Sequence, residues 1–296
     1  MKRIMAGIIA VVTLGVLGIR YSGGRAVKST GENRTTTSRD GTIIAFTKRG
    51  SGPPLIIVDG AFCYRENGPA TELAMQLAQH FAVFTYDRRG RGESGDTAPY
   101  SVEREIEDLR AVAREAGAVP YVLGISSGGA LILQAVASGV GVKEIALYEP
   151  PYLADGNGPR SFENEKSRLQ SLIAAGDHSG AVSFFMSNVY GAPRAFVVAM
   201  PILMPNAWRR NKLVVQTVPY DLTILDDRSV LNARSSSISV PTLVIGGEKS
   251  PEALRNAVDA VAAALPNARS RFLAGQDHNV SSRAVVPVLF EYFGAS

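Results

Sequence analysis

The chain has 296 residues, 46% of them hydrophobic and 20% charged, with a formal net charge of +4. That length buries a full core as one large domain or two small ones, and the composition excludes a disordered or collagen-like chain. Residues 1–34 hold six basic side chains against the single acid Glu32, leaving the rest of the chain one unit negative, which excludes a basic nucleic-acid surface spread over the whole domain. The lone cysteine, Cys63, excludes an intrachain disulfide but fixes no compartment.

The chain opens with Met1-Lys2-Arg3 and an uninterrupted uncharged run from Ile4 to Ile19. As a helix this run is roughly 24 Å long at ~1.5 Å per residue, short of a ~30 Å hydrocarbon core unless Lys2, Arg3 and Arg20 snorkel. A basic start followed by an apolar run reads as a signal sequence or uncleaved signal-anchor over residues 1–24. Residues 25–35 read as a polar tether. The expected location of the rest is extracytoplasmic, either secreted or attached to a membrane through the first segment.

From residue 36 to 296 strands and helices alternate. Thr42–Phe46 reads as a strand after the Asp40-Gly41 turn, and Pro54–Val58 and Phe81–Tyr86 as buried strands with a helix over Glu72–Gln79 between them. Val102–Ala116 has the charge pattern of an amphipathic helix. Val119–Leu123 is a further strand, followed by a helix over Gly129–Ala137 and a strand over Glu144–Tyr148. After a long gap come a strand at Thr242–Ile245, a helix at Pro251–Ala264, a strand at Arg269–Leu273 and a closing helix at Ala284–Phe293. Short, continuously apolar strands separated by helices predict a mostly parallel sheet covered on both faces. The gap is helical in pattern, and residues of about 152–238 are expected to form a cap insertion.

Gly124-Ile125-Ser126-Ser127-Gly128 fits G-x-S-x-G. Between a buried strand and a small-residue helix, this spacing makes a sharp turn that lifts the serine hydroxyl out of the sheet. A general base for that hydroxyl must come from the same carboxyl edge of the sheet. Of the three histidines, His80 precedes a strand and His178 sits in a turn of the insertion, whereas His278 follows the last strand. His278 is the expected base.

These features resemble the α/β-hydrolase superfamily over roughly residues 36–295. The elbow carries the resemblance, together with Asp87-Arg88-Arg89-Gly90-Arg91-Gly92-Glu93-Ser94, which is similar to the family's D-x-R-G-x-G-x-S loop, and with the order of nucleophile before base. The arginines of that loop are expected in structural ion pairs. The resemblance implies an oxyanion hole made by the backbone N–H groups of Ser127 and of a residue after the third strand, here Ala61 in Val58-Asp59-Gly60-Ala61-Phe62. Asp59 stands where the family has histidine. Cys63 is expected as a packed small residue.

The triad's acid departs from the family pattern, because Ser250 occupies the position of aspartate in Gly247-Glu248-Lys249-Ser250. Glu149, in Leu147-Tyr148-Glu149-Pro150, is the preferred substitute, with Asp221 and Glu248 as alternatives; Asp277 is expected to point away. The resemblance implies a serine hydrolase that cleaves an ester or related acyl bond of a small molecule, without metal or other cofactor. Phe184, Phe185, Met186, Phe196 and Met200 in the insertion suggest an apolar substrate. Two alternatives stand beside this reading. One is a perhydrolase or C–C hydrolase using the same triad. The other, motivated by Ser250, is a catalytically silent binding module.

Overall fold

Apolar runs of four to seven residues build the centre of the molecule. The computed structural model describes residues 31–155, 158–159, 161–226, 231 and 233–294. The signal or anchor segment, 1–24, therefore lies outside the described residues. Among the described residues no helix is long and apolar enough to cross a membrane.

Strand β1 (Glu32–Thr37) pairs antiparallel with β2 (Ile43–Arg49) across the Asp40-Gly41 turn, where Gly41 has φ +86° and Asp40 Oδ1 accepts the Thr42 N–H at 3.0 Å. The tether expected over 25–35 is corrected here, since its last four residues lie in β1. That strand is polar and exposed along nearly its whole length. It carries no alternating apolar signal, and its ladder to β2 defines it.

Next come β3 (Pro54–Val58), α1 (Ala70–Leu77), β4 (Ala82–Tyr86), α2 (Val102–Ala116), β5 (Tyr121–Ile125), α3 (Ser127–Ala137) and β6 (Ile145–Tyr148). β5 begins two residues later than the pattern suggests, leaving Val119 exposed ahead of Pro120. A helical insertion then contains α4 (Glu163–Ala174), α5 (His178–Phe184), a π-helical turn (Phe185–Val189), α6 (Arg194–Leu203), α7 (Pro205–Val214) and α8 (Val218–Asp226). The chain returns through β7 (Thr242–Gly247), α9 (Glu252–Ala264), β8 (Ala268–Leu273) and α10 (Ser282–Phe293).

The eight strands form one sheet in the order β1-β2-β4-β3-β5-β6-β7-β8. β2 is antiparallel to both its neighbours, and β3 to β8 run parallel. On one face Leu55, Ile57, Leu123 and Ile245 pack with Leu73 and Leu77 of α1 and Val285 and Leu289 of α10. On the other lie α2, whose Val102, Ile106, Leu109 and Val112 are buried, and α3, buried over its first ten residues. This double burial explains the continuous apolar strands.

The described chain divides into two compact units. One is Asn164–Gln216, with Leu169, Val182, Phe185, Val197, Met200 and Trp208 buried in it. The other contains the sheet and also α8, which packs on α3: Gln134 Nε2 donates to Ile224 O at 2.6 Å, and Asp226 Oδ1 accepts the Phe162 N–H at 2.8 Å. The separate helical unit is thus shorter than the 152–238 span read from the sequence.

Candidate active site

The turn from β5 into α3 holds Ser126 at φ +54°, ψ −127°, a conformation that non-glycine residues rarely adopt. Its N–H donates to Tyr148 O at 2.8 Å, tying the elbow to the end of β6. The flanking glycines are sterically required. A Cβ at Gly124 would lie 2.5 Å from Gly129 Cα, and one at Gly128 would lie 2.2 Å from Val58 O. Gly60 completes the close approach, because a Cβ there would meet Ser126 Cβ at 2.9 Å.

Glu149 follows β6 directly, also with positive φ, at +46°, and is fully buried. Its Oε2 is 2.8 Å from His278 Nδ1. Its Oε1 accepts the Gly247 N–H at 2.6 Å and the Ser250 hydroxyl at 2.5 Å. A carboxylate so surrounded has its charge compensated without a cation. The pairing places the imidazole proton on Nδ1 and leaves Nε2 as the acceptor. The His278 side chain is 20% exposed. Asp277 turns away: its Oδ1 accepts from the N–H and side-chain amide of Asn279, and its carbonyl accepts the Tyr148 hydroxyl.

Ala61 lies in a tight turn closed by Cys63 N–H donating to Gly60 O at 3.3 Å, with Phe62 at φ +62°. Arg91 braces this turn from below, donating to Gly60 O at 2.6 Å and Cys63 O at 3.3 Å. The N–H groups of Ala61 and Ser127 meet no acceptor among the described residues. Ser127 starts α3, where the helix dipole adds partial positive charge.

Two alternatives for the acid are corrected by position. Asp221, 1% exposed, accepts from Arg88 Nη1 at 2.6 Å, Arg91 Nη2 at 2.6 Å and Ser127 Oγ at 2.7 Å. Burial pushes its carboxyl up, but the Arg91 and Arg88 guanidiniums overcome that and hold it below the usual range. Glu248 is exposed, with its N–H on Leu273 O. Neither reaches His278; Glu149 alone of the three does. His80 is exposed against the Phe290 ring, and His178 opens α5 in the helical unit.

The arginines of the Asp87–Ser94 loop are in ion pairs, as expected. Arg88 holds Glu105 by two bonds of 2.7 Å, and Arg89 holds Asp108 likewise. Cys63 is poorly suited to nucleophilic work, since burial, then the nearby Asp59, pushes its thiol well above the usual value. Asp59 is 4% exposed and has an oxygen with no hydrogen-bond partner among the described residues. Burial raises its carboxyl to about 7, against the Ala70 N–H and the charges of Arg91 and Arg88. Among the described residues no cluster of His, Cys, Asp and Glu could hold a metal ion.

Sequence reasoning missed three supporting residues: Ser250 as a donor to Glu149, Arg91 under the Gly60–Cys63 turn, and Asp221 under Ser127. The signal for Ser250 was its register at the end of β7; its small hydroxyl was read as a loss of acid, not as a partner for one.

Comparisons with known proteins bear on the family and the fold. The chain is 24% identical over 233 residues to the pimeloyl-[acyl-carrier protein] methyl ester esterase of Xanthomonas axonopodis pv. citri, covering 77% of this chain and 89% of that protein. The crystal structure of an alpha/beta hydrolase from Sphaerobacter thermophilus superposes with a TM-score of 0.81 at 44% identity, over 88% of this chain and all of that one. An esterase from Rhodococcus sp. ECU1013 shares the fold at 18% identity, with a TM-score of 0.63 over 88% and 97% of the two chains. Residues 50–288 match the alpha/beta hydrolase family, and this match spans the elbow, the buried acid and the terminal histidine: the chain belongs to that family.

Proposed function

We propose that this chain is a serine hydrolase that cleaves an ester or related acyl bond of a small, apolar substrate through an acyl-enzyme. The observation that carries the reading is the fully buried Glu149 carboxylate on His278 Nδ1, at the same sheet edge as a serine held in a strained elbow. In this reading Ser126 Oγ attacks the carbonyl carbon while His278 Nε2 takes its proton. Glu149 fixes the tautomer and stabilises the imidazolium. The N–H groups of Ala61 and Ser127 receive the developing oxyanion. His278 then returns the proton to the leaving alcohol, and water repeats the sequence to release the acid.

The silent-module alternative rests on the serine at 250. Its motive weakens once that hydroxyl donates to Glu149, since the carboxylate has moved from the end of β7 to the end of β6 rather than vanished. The apolar preference rests on the Phe- and Met-rich composition of the insertion alone, and a panel of p-nitrophenyl esters of increasing acyl length tests it. A fluorophosphonate probe tests the nucleophile: labelling of wild type and none of Ser126→Ala is expected, whereas an unlabelled folded wild type removes the hydrolase reading. Glu149→Gln is expected to keep the fold and lower kcat by roughly 10³–10⁴-fold; near-full turnover would reassign the acid. The proposal extends to location, with Lys2, Arg3 and the run Ile4–Ile19 directing the enzyme to a membrane or across it.

A further inference from the structure

From His178 to Tyr220 the sequence contains no acidic residue, but it does contain Arg194, Arg209, Arg210 and Lys212. The same stretch carries the most exposed large apolar side chains among the described residues: Val198 at 78%, Ile202 at 83%, Leu203 at 67% and Leu213 at 64%. Their arrangement is periodic. Arg194, Val198 and Ile202 succeed one another by one turn along a face of α6, and Arg209 and Leu213 do the same on α7. Val197 and Met200 of α6, and Trp208 of α7, are buried in the unit, so the outward side chains are surplus to its core. Cations and branched apolar groups thus alternate on the outer faces of two packed helices.

We propose that this face docks on the surface of an anionic phospholipid bilayer, with Val198, Ile202, Leu203 and Leu213 entering the acyl boundary and Arg194 and Arg209 meeting headgroup phosphates. Exposed apolar groups among cations are the pattern of interfacial helices; Asp177 is the one acid beside Arg209, Lys212 and Leu213 in the groove at the end of α7, and the remaining cations supply attraction to negative lipid. Other occupants fit less well by charge. A second copy meeting through a two-fold axis would oppose these cations to themselves. The chain's own first 34 residues carry six basic side chains against one acid, which is repulsion of the same sign. The inference does not depend on the proposed chemistry, since it uses none of the site residues.

Trp208, the only tryptophan, sits on α7 beside this face and makes the test site-specific even if the N-terminal run also draws the full chain to lipid. Full-length protein is mixed with phosphatidylcholine vesicles, with or without phosphatidylglycerol, in brominated and ordinary form. Brominated anionic vesicles are expected to quench Trp208, and neutral ones much less. The V198S/I202S/L203S variant changes only exposed side chains, so its circular dichroism and melting midpoint should match wild type. Its vesicle partitioning by Trp208 quenching should weaken roughly tenfold or more. Equal quenching in wild type and variant, equal quenching by neutral and anionic vesicles, or vesicle-bound protein with no quenching would each overturn the proposal. So would a dimer that the same substitutions convert to monomer without any effect of lipid.

Discussion

At the scale of single residues, the site is defined by what surrounds two buried carboxyl groups. Glu149 has a hydrogen-bond donor on each oxygen, whereas Asp59 has an oxygen with none among the described residues. Ser250→Ala removes one donor from Glu149. Loss of about 1.5–3 kcal/mol of stability is expected for a bond to a charged acceptor, with kcat falling more than KM rises; unchanged melting and turnover would show that the hydroxyl contributes nothing. Asp59 behaves in the opposite sense. Its folded carboxyl titrates at about 7 and its ordinary value is 3.8, so between those values the native state binds the extra proton. Stability should fall as pH rises from about 4 to 7 and then level, by on the order of 4 kcal/mol for a shift of this size. Asp59→Asn, which keeps the shape without the charge, is expected to flatten that slope in urea titrations across the same range. A parallel slope in wild type and variant would assign the pH dependence elsewhere.

Among the elements, the ends of β3, β5 and β6 converge on Ser126, and each end adopts an unusual backbone: Phe62, Ser126 and Glu149 are the described non-glycine residues with positive φ. Strain of this kind needs a rigid support, and the support is the Arg88–Asp221–Arg91 cluster, which ties the β4 loop to α8, to the Gly60–Cys63 turn and to Ser127. Asp221→Asn should therefore cost stability first, by roughly 3–5 kcal/mol for breaking a buried ion pair, while leaving turnover per folded molecule within about tenfold. Glu149→Gln should show the reverse split. Denaturant unfolding and active-site titration on both variants separate the two roles, and a large kcat loss in folded Asp221→Asn would return that residue to the catalytic set.

Over the whole molecule, the basic character belongs to the first 34 residues and to the acid-free stretch 178–220, while the remaining residues carry a net charge of −5. The proposed location follows from the first of these. In fractionated cells the full chain is expected in the membrane pellet or outside the cytoplasm; if pelleted through an inserted apolar run, it should resist a high-salt wash and yield to detergent. Recovery of uncleaved full-length protein in the soluble cytoplasmic fraction would remove the targeting reading and leave the catalytic one standing.

The sequence by itself determined the mostly parallel sheet, because strands buried on both faces must be continuously apolar, and it singled out Ser126 and His278 as the proposed nucleophile and base, because the elbow's steric demands and the position after the last strand leave few substitutes. It did not determine β1, a polar strand whose only evidence is its ladder to β2. Nor could it choose among Glu149, Asp221 and Glu248, which lie up to 99 positions apart and are equally acidic on paper. Only the tertiary structure separates the three, by burying Glu149 against His278, enclosing Asp221 between two arginines and leaving Glu248 at the surface, and the proposed acid rests on that difference. A carboxylate's role depends on its partners and on the water it has lost, and both are set by contacts between segments far apart in the chain.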